Sequence, residues 1–587
     1  MIMKKLILVF IMVLLAVPTF AQHDEQVTVE GKYRPKANKV NKLRLTPENP
    51  QPTYEMPSTE IAPKDVKQKF PVDLEKIAPI GYVSKNDKIV TPTKNFLMAG
   101  IGTQLSPMFL YKHNSFLTKT MGVGVGVKHK SSWLNIKDYA PSNYMNNAFD
   151  VNLTTDYFDG VQADAGVSYK NDMYHYYGVN LAETPMTDEE IEQYCPRQTY
   201  NTIGAHLGLA STSTRLGDLI HSGGADYHYT FANTYAREHF VDLKYGLCYT
   251  RNWWGEKSHP QIIGVDCGFQ YEYFESSHLD QAAMPIAIRN DLCLLKVNPF
   301  FEMNGEFYKI HIGVHFDGVN RIQQTDKFLT VHPDISGSLL VLNKKLEFYA
   351  GLNGGRKLLT YSDIIGENPF IGNELSLSAH NVKFGFEGGV RTNIAEIVDL
   401  HLGVRYNDVE NQHYYILLPE LIDNGSMLAN RYGVRYYGGI QVVNVLADVR
   451  IKLRSSLTAD LGFAYNHYDL NSTNDGAHAW YRPAAEGKLK LTYTLNDELA
   501  FYSSFLYQGG RYALVPKGDG RPHSFGRYLE EEKMKDVLDL SLGADYKVND
   551  QITAFALIDN VLVQKYQLYY NYPVTGIQFF AGVKLKF

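Results

Sequence analysis

Charged side chains recur at every second position in several segments of the C-terminal part of the chain. Most of them are basic. Because low-dielectric walls focus an electric field, a basic face of this kind would bias the binding or passage of anionic solutes. A face in contact with water needs polar side chains in any case, so a purely structural role is the other interpretation. The residues are Asp448, Arg450, Lys452, Arg454, Asp460, Lys488, Lys490, Lys584 and Lys586.

Motifs for catalysis are absent from the sequence. It has no H-E-x-x-H, G-x-S-x-G or Walker loop, and its four Cys lack metal-ligand spacing. The spacing of Thr187 and Glu190 is that of a capping box and predicts a short helix from Asp188 to Tyr194. Its acidic side chains are better explained by a solvated helix start than by a cation site. We therefore predict a protein that is not an enzyme and has no catalytic residue, metal or cofactor.

Composition excludes two further classes. The 57 Lys and Arg against 63 Asp and Glu give a net charge of -6, whereas nucleic-acid binding usually needs a basic excess. A hydrophobic content of 44% is too low for a polytopic helical membrane protein. We therefore predict that the protein binds no nucleic acid. The 42 Tyr and 47 Gly fit a β-rich protein.

The N-terminal region differs from the rest of the chain. Residues 1–21 combine Lys4 and Lys5, an apolar core and a small-residue cleavage site, which predicts a signal peptide. Residues 22–95 are rich in Pro, which disfavours both helix and sheet. We predict a largely disordered extension on the periplasmic side of the membrane.

From residue 96 onward, hydrophobic and polar residues alternate. This period of two predicts strands with one apolar and one polar face. A soluble sandwich would turn the apolar face inward, and a transmembrane barrel would turn it toward lipid. At the chain terminus the apolar face is formed by Ile577, Phe579, Ala581, Val583, Leu585 and Phe587.

Three features favour the barrel. Tight turns, such as those near Asn343 and Asn496, alternate with long loops, as in barrels with short periplasmic turns. Many segments exceed ten residues, for example 238–250, 262–274 and 551–568, which suits tilted membrane strands. Finally, the last strand ends on Phe and resembles the signal read by the outer-membrane barrel assembly machinery. We assign that signal to Phe579, Val583, Leu585 and Phe587.

The prediction is an all-β protein with a large antiparallel transmembrane β-barrel of about 22 strands (range 18–22), formed by residues 96–587. An even count follows if both ends of the barrel lie in the periplasm. It requires residues 96–113 to form two strands, with a break at Leu105, Ser106 and Pro107. The protein would reside in the outer membrane of a Gram-negative cell envelope, in contact with lipid.

The C-terminal segment resembles the final hairpin of TonB-dependent receptors. Asp559 to Tyr566 is similar to the N-L-x-N-x-x-Y element of that family, although Val561 and Val563 replace its Leu and second Asn. Tyr572 to Gly576 is similar to its Tyr-Pro-x-x-Gly loop, and Phe587 supplies the terminal aromatic residue. The resemblance implies a 22-stranded barrel that imports scarce nutrients such as iron chelates, cobalamin or glycans.

One departure from the family is large. The family has a plug domain of well over a hundred residues before the barrel, whereas here only residues 22–95 stand there. The resemblance is therefore to a receptor-like barrel that lacks the standard plug. Glu25 to Gly31 loosely resembles the box that pairs with TonB, and so short a β-prone string also arises by chance. A periplasmic or TonB-like partner at residues 22–95 is one expectation.

Two functions remain open from the sequence. The first is uptake or passage of a solute across the outer membrane. The second is a structural barrel in an outer-membrane complex, which docks a periplasmic partner through its N-terminal extension. The Tyr-rich strand ends, among them Tyr436, Tyr437, Tyr569 and Tyr570, are interpreted as the aromatic girdle at the membrane interface.

Overall fold

The computed structural model describes residues 94–587 except 159, 212–218, 255–258, 280–284, 321–327, 373–374, 422–426, 455, 471–477 and 517–528. The predicted signal peptide and the predicted extension up to residue 93 lie outside the described residues. No helix in the described part of the chain is long and apolar enough to span a bilayer.

Twenty-two antiparallel strands form one closed sheet, which confirms the predicted barrel and its strand count. The first fifteen are β1 Asn95–Gly102, β2 Ser106–Phe116, β3 Met121–Ser132, β4 Tyr144–Phe158, β5 Val161–His175, β6 Arg197–Ser211, β7 Leu219–Ala232, β8 Arg237–Arg251, β9 Gln261–Leu279, β10 Pro285–Asn304, β11 Tyr308–Val319, β12 Leu329–Val341, β13 Leu346–Leu358, β14 Ala379–Ile394 and β15 Val398–Glu410.

From there, barrel strands alternate with three small hairpins in the described parts of the loops. The hairpins are β16 Gln412–Leu421 with β17 Met427–Tyr437, β22 Tyr512–Pro516 with β23 Leu529–Lys533, and β26 Gln567–Tyr569 with β27 Tyr572–Pro573. The remaining barrel strands are β18 Ile440–Arg454, β19 Leu457–Leu470, β20 Ala485–Thr494, β21 Leu499–Gly509, β24 Val537–Lys547, β25 Ile552–Asp559 and β28 Gln578–Lys586. The described parts of the loops also carry two short helices, α1 Asp188–Tyr194 and α2 Tyr361–Glu367.

Pairing of the first strand with the last closes the barrel. β1 runs antiparallel to β28 from Phe96 opposite Lys586 to Gly102 opposite Phe580. At the seam, the backbone N–H of Asn95 donates to the carbonyl of Phe587 over 2.8 Å. A closed sheet has no unpaired edge, and such an edge would be costly in hydrocarbon.

The connections divide the barrel into two ends. Both described chain ends and most of the short turns lie at one end, which we call the turn end. The long connections lie at the other end, the loop end. The predicted turn at Asn343 lies at the turn end, where Asn343 adopts a φ of 56°. Asn tolerates this left-handed conformation better than most residues, which explains its use in a tight turn.

The start and the end of the barrel test two local predictions. The break expected within residues 96–113 is present between β1 and β2, where Gln104 and Leu105 have positive φ. The strand expected over 551–568 is too long, since β25 ends at Asp559. Asn560 has a φ of 51°, and its side-chain amide donates to the backbone carbonyls of Gln564 and Thr575. These bonds turn the chain into a loop.

The helix predicted from the capping box is present as α1. The backbone N–H of Glu190 donates to the Thr187 hydroxyl over 3.2 Å, and the backbone N–H of Thr187 donates to the Glu190 carboxylate over 2.8 Å. These two bonds satisfy amides that a helix start leaves without partners.

Candidate functional site

The two faces of each barrel strand have different surroundings. In β19, the side chains of Leu461 and Phe463 point outward, and Phe463 is 50% exposed. In β18, Ile440 is fully buried among the loops, and Asp448 and Arg450 share its face because the side-chain period is two. The face with the charged residues is therefore the inner one.

An apolar outer surface around a closed barrel defines a transmembrane β-barrel, since hydrocarbon can solvate that surface and water cannot. A closed antiparallel barrel of this size is the outer-membrane architecture, and the protein is an outer-membrane β-barrel. The predicted assembly signal lies on the outer face of β28 and directly after it. Phe579 and Val583 on that face and Phe587 after the strand are exposed, and Leu585 is half-buried. A role of these residues in assembly remains a prediction.

Five of the predicted charged residues meet in one place. Asp448, Arg450, Asp460, Lys488 and Lys490 line a lumen cavity of about 1000 Å³. The pairing of β18, β19 and β20 aligns them, because Asp460 lies opposite both Arg450 and Lys490. The register of the strands thus brings together residues that are up to 42 positions apart in the sequence, from Asp448 to Lys490.

Ion pairs neutralise part of this basic face. Arg450 pairs with Asp460, and Lys452 lies 3.9 Å from Asp399. Within the described part of the chain, Lys488 and Lys490 form no salt bridge. Of the basic residues on β18 to β20 whose side chains are described, these two lysines contribute the charge that is not locally compensated.

The other predicted residues lie elsewhere. Lys584 belongs to β28, where its ammonium group pairs with Asp545 over 2.6 Å. Lys586 is next to the chain terminus at the turn end. Arg454 ends β18, and its side chain lies outside the described residues. The nine residues therefore do not form a single site.

A second feature, the loop cap, was not predicted from the sequence. We give this name to the described residues of the connections at the loop end, namely 176–196, 359–372, 375–378, 411–421, 427–439, 479–484, 510–516 and 560–577. They bury a large cluster of aromatic and aliphatic side chains. Its largest member is Trp480, which has no exposed surface and donates its indole N–H to the Tyr437 hydroxyl over 3.1 Å.

The interpretation of the Tyr-rich strand ends as a membrane girdle is wrong for several of these residues. Tyr437 is buried in the cluster, and Tyr436, Tyr569 and Tyr570 pack against it. A tyrosine with an apolar ring and a polar hydroxyl suits a membrane interface, and it equally suits a buried site that offers a carbonyl acceptor. Only the folded loops distinguish the two environments.

Three loops from separate parts of the barrel meet in the loop cap. The Tyr176 hydroxyl donates to the carbonyl of Ile371 over 2.6 Å, and Tyr177 donates to Pro573 over 3.1 Å. The ring of Phe370 stacks on Tyr572 with centroids 3.7 Å apart. These loops follow β5, β13 and β25, which are not neighbours in the ring. Contacts between them must therefore cross the barrel opening.

The hairpin β16–β17 joins the same junction. Tyr432 pairs with the extended segment 370–372, since its carbonyl accepts from Gly372 over 2.8 Å and its N–H donates to Phe370 over 2.9 Å. Its hydroxyl donates to the carbonyl of Tyr570 over 2.7 Å. Backbone and side chain of one residue thus link three loops.

Helix α2 is held at both ends. At its start, the fully buried Glu238 carboxylate accepts the backbone N–H groups of Tyr361 and Ser362. At its end, Glu367 accepts hydrogen bonds from His413 and Tyr415, each 2.9 Å long, and forms an ion pair with Arg482. Glu238 lies on β8, whereas the partners of Glu367 lie on β16 and after β19. The helix therefore bridges the opening.

The surroundings of Glu367 set its charge state. Burial alone would raise the pKa of this carboxyl group. The hydrogen bond from His413 and the positive charge of Arg482 outweigh burial and lower the pKa to about 2. Glu367 is therefore ionised throughout the physiological range, and the contact with Arg482 is a true ion pair.

Comparisons with known proteins agree with this architecture. No protein-family profile and no curated protein matches the sequence. Among solved structures, the siderophore receptor PirA from Acinetobacter baumannii has a TM-score of 0.62 at 13% identity, with 85% of this chain and 81% of that chain covered. The ferric-catecholate import receptor Fiu from K12 E. coli has a TM-score of 0.60 at 10% identity, with 85% and 82% covered.

A third similar structure is that of the copper transporter OprC, with a TM-score of 0.57 at 13% identity and coverage of 85% of this chain and 82% of that chain. The fold of this chain is thus that of the barrels in these solved structures. The resemblance to receptor barrels inferred from the terminal hairpin is confirmed at the level of the fold. These neighbours are named as two receptors and a transporter.

Proposed function

We propose that the protein is an outer-membrane receptor that takes up a solute through the interior of its barrel. The observation that carries this proposal is the barrel of 22 strands with a polar lumen whose loop end is crossed by a built closure. A barrel of this size is wide enough to enclose an aqueous path, and a receptor needs a means of closing it.

Electrostatics supports a preference for anionic solutes. Lys488 and Lys490 line the lumen cavity. A solute that has passed the loop cap meets this face on its way to the turn end. The uncompensated charge of the two lysines would raise the local concentration of anions there.

The neighbours in structure are described as receptors or transporters for siderophores, ferric catecholates and copper. By analogy, uptake by this chain would depend on an energy-coupling partner in the periplasm. We assign contact with a TonB-like protein to the N-terminal extension, residues 22–95. Insertion by the barrel assembly machinery through the C-terminal strand belongs to the same proposal.

Single-channel recording in planar bilayers tests the proposal. The proteins compared are the full chain, a chain without residues 22–93, an open-cap variant in which residues 361–371 are replaced by a Gly-Ser linker, and the combination of both changes. We expect the full chain to conduct little and the combined variant to conduct strongly. Absence of conductance in all four proteins would contradict the proposal and favour a structural barrel.

A further inference from the structure

A small cavity lies where helix α2 meets the inner wall of the barrel. Its volume is about 280 Å³, the size of a small organic molecule. Three tyrosines, two arginines and the last residue of α2 contribute to its lining. They are Glu367, Tyr415, Tyr481, Arg482, Arg511 and Tyr569.

At the wall of this cavity, donors from two loops converge on a carboxylate that comes from a third loop. Arg482 pairs with Oε1 of Glu367, and both His413 Nε2 and the Tyr415 hydroxyl lie 2.9 Å from Oε2. Arginine and hydroxyl donors in this arrangement are a general recognition device for an oxyanion. The Glu367 side chain therefore occupies a site that would equally suit the carboxylate of a ligand.

Arg511 adds donor capacity that Glu367 does not use. It is only 2% exposed, and its guanidinium group donates to the carbonyls of Lys535, Gln567 and Leu568. Its Nε is buried and has no hydrogen-bond partner in the described part of the chain. Glu486 also lines the cavity and offsets part of the positive charge. A buried donor without a partner is costly, and a ligand acceptor would remove that cost.

We propose that this cavity binds a small aromatic or aliphatic molecule with a carboxylate or phosphate group, and that this group displaces Glu367 from Arg482, His413 and Tyr415. The rings of Tyr481 and Tyr569 cover the rest of the ligand. Displacement releases the end of α2, while Glu238 still holds its start. Binding thus loosens one of the contacts that close the loop cap. The inference rests on the proposed uptake function and names the ligand class for it.

Binding measurements on the full chain in detergent test this competition. The probes are benzoate and phenyl phosphate, which separate the two oxyanion sources, and benzamide, which has nearly the shape of benzoate without its charge. Because Glu367 competes with the ligand, Glu367→Gln should tighten binding of at least one oxyanion by roughly tenfold. Arg482→Met should abolish that binding in both backgrounds. Glu498→Gln, a change of the same type in a turn-end loop, should leave it unaltered.

Hydrogen exchange of α2 supplies a second readout. A ligand normally slows exchange near its site, whereas displacement of Glu367 should speed exchange at residues 361–368 in the unmodified protein. In Glu367→Gln the probe should no longer speed it. Three results would overturn the proposal. They are equal oxyanion affinity in the unmodified protein and Glu367→Gln, binding of benzamide as tight as that of benzoate, and slower exchange of α2 on binding. Binding in detergent requires no transport, so this failure is distinct from an absence of conductance.

Discussion

Glu238 is a fully buried carboxylate on β8, and its oxygens accept hydrogen bonds from the loop helix α2. It accepts hydrogen bonds from the first two backbone N–H groups of α2. The N-cap hydroxyl of Thr360 accepts from the backbone N–H of Asp363 over 3.0 Å. Amides at a helix start have no partner within the helix. A side chain on the barrel wall and the Thr360 cap therefore together define where the loop helix begins.

Replacement of this carboxylate should loosen the loop without unfolding the barrel. Glu238→Ala leaves two amides without acceptors, at a cost of about 2 kcal/mol, which corresponds to roughly 30-fold faster local exchange. Hydrogen exchange followed by mass spectrometry should show this at residues 361–366, with the barrel strands unchanged. Glu396→Ala, in an exposed turn, serves as the control. Unchanged exchange of α2 in Glu238→Ala would contradict this role.

The contact at the other end of α2 should depend on pH in a defined window. The pKa of Glu367 is lowered to about 2, below the ordinary value of about 4.3 in an unfolded chain. Its stabilising contribution is complete above the unfolded value and is lost as the pH falls toward 2. Exchange of α2, corrected for intrinsic rates, should be flat from pH 8 to 5 and rise below about 4.5. Glu367→Gln should remove this rise, and a rise that persists would assign it to another group.

Among the strands, β28 has two separate tasks. Its inner face contributes Phe580, which is 3% exposed, while Phe579 on its outer face and Phe587 directly after the strand are exposed. It also pairs on both sides, with β25 and with β1. The alternation in the sequence predicts the first task, which is to separate an inner from an outer face. The second task, closure of the ring, follows from the pairing of β28 with β1.

A change at the terminal aromatic residue should impair assembly more than its lost lipid contact explains. Phe587→Ser should lower the assembled, heat-modifiable fraction in the outer membrane by roughly threefold or more, because closure requires this seam. Phe463→Ser removes an equally lipid-facing ring from β19 and should have little effect. Similar losses in both variants would argue against a terminal assembly signal.

The contrast between strands and loops shows what the sequence can predict. A period of two is a local property, so strands such as β18, β19 and β28 were predicted from a few residues each. The loop cap depends on contacts such as that between Tyr176 and Ile371, which are 195 positions apart. Neither residue carries a local signal of that contact. The charged residues of β18 to β20 could be predicted to share one face. Their ion pairs could not, because these depend on the register between neighbouring strands.

Across the whole molecule, charge is distributed unevenly along the proposed solute path. The loop cap is mainly aromatic, whereas the wall below it carries charged residues, among which Lys488 and Lys490 lack a salt bridge in the described part of the chain. Since exposed charges in a lumen act on every passing ion, their net sign determines which ions accumulate.

Removal of this charge should alter ion selectivity. In the open-cap variant, Lys488→Gln combined with Lys490→Gln should lower the permeability ratio of anions to cations by about twofold or more. Reversal potentials in a KCl gradient measure this ratio. Lys94→Gln combined with Lys119→Gln makes the same net change at exposed turn-end residues that do not line the lumen cavity, and should leave the ratio unaltered. Equal ratios in the two double variants would show that the solute path does not pass this wall.

The seam between Asn95 and Phe587 has a consequence for synthesis. The partner of the first strand is the last one to be made, so every earlier strand waits for the final nine residues of β28 before the ring can exist. A chain that stops short of them would expose two open edges and would be a substrate for periplasmic proteases. Premature termination should thus leave no partly active product.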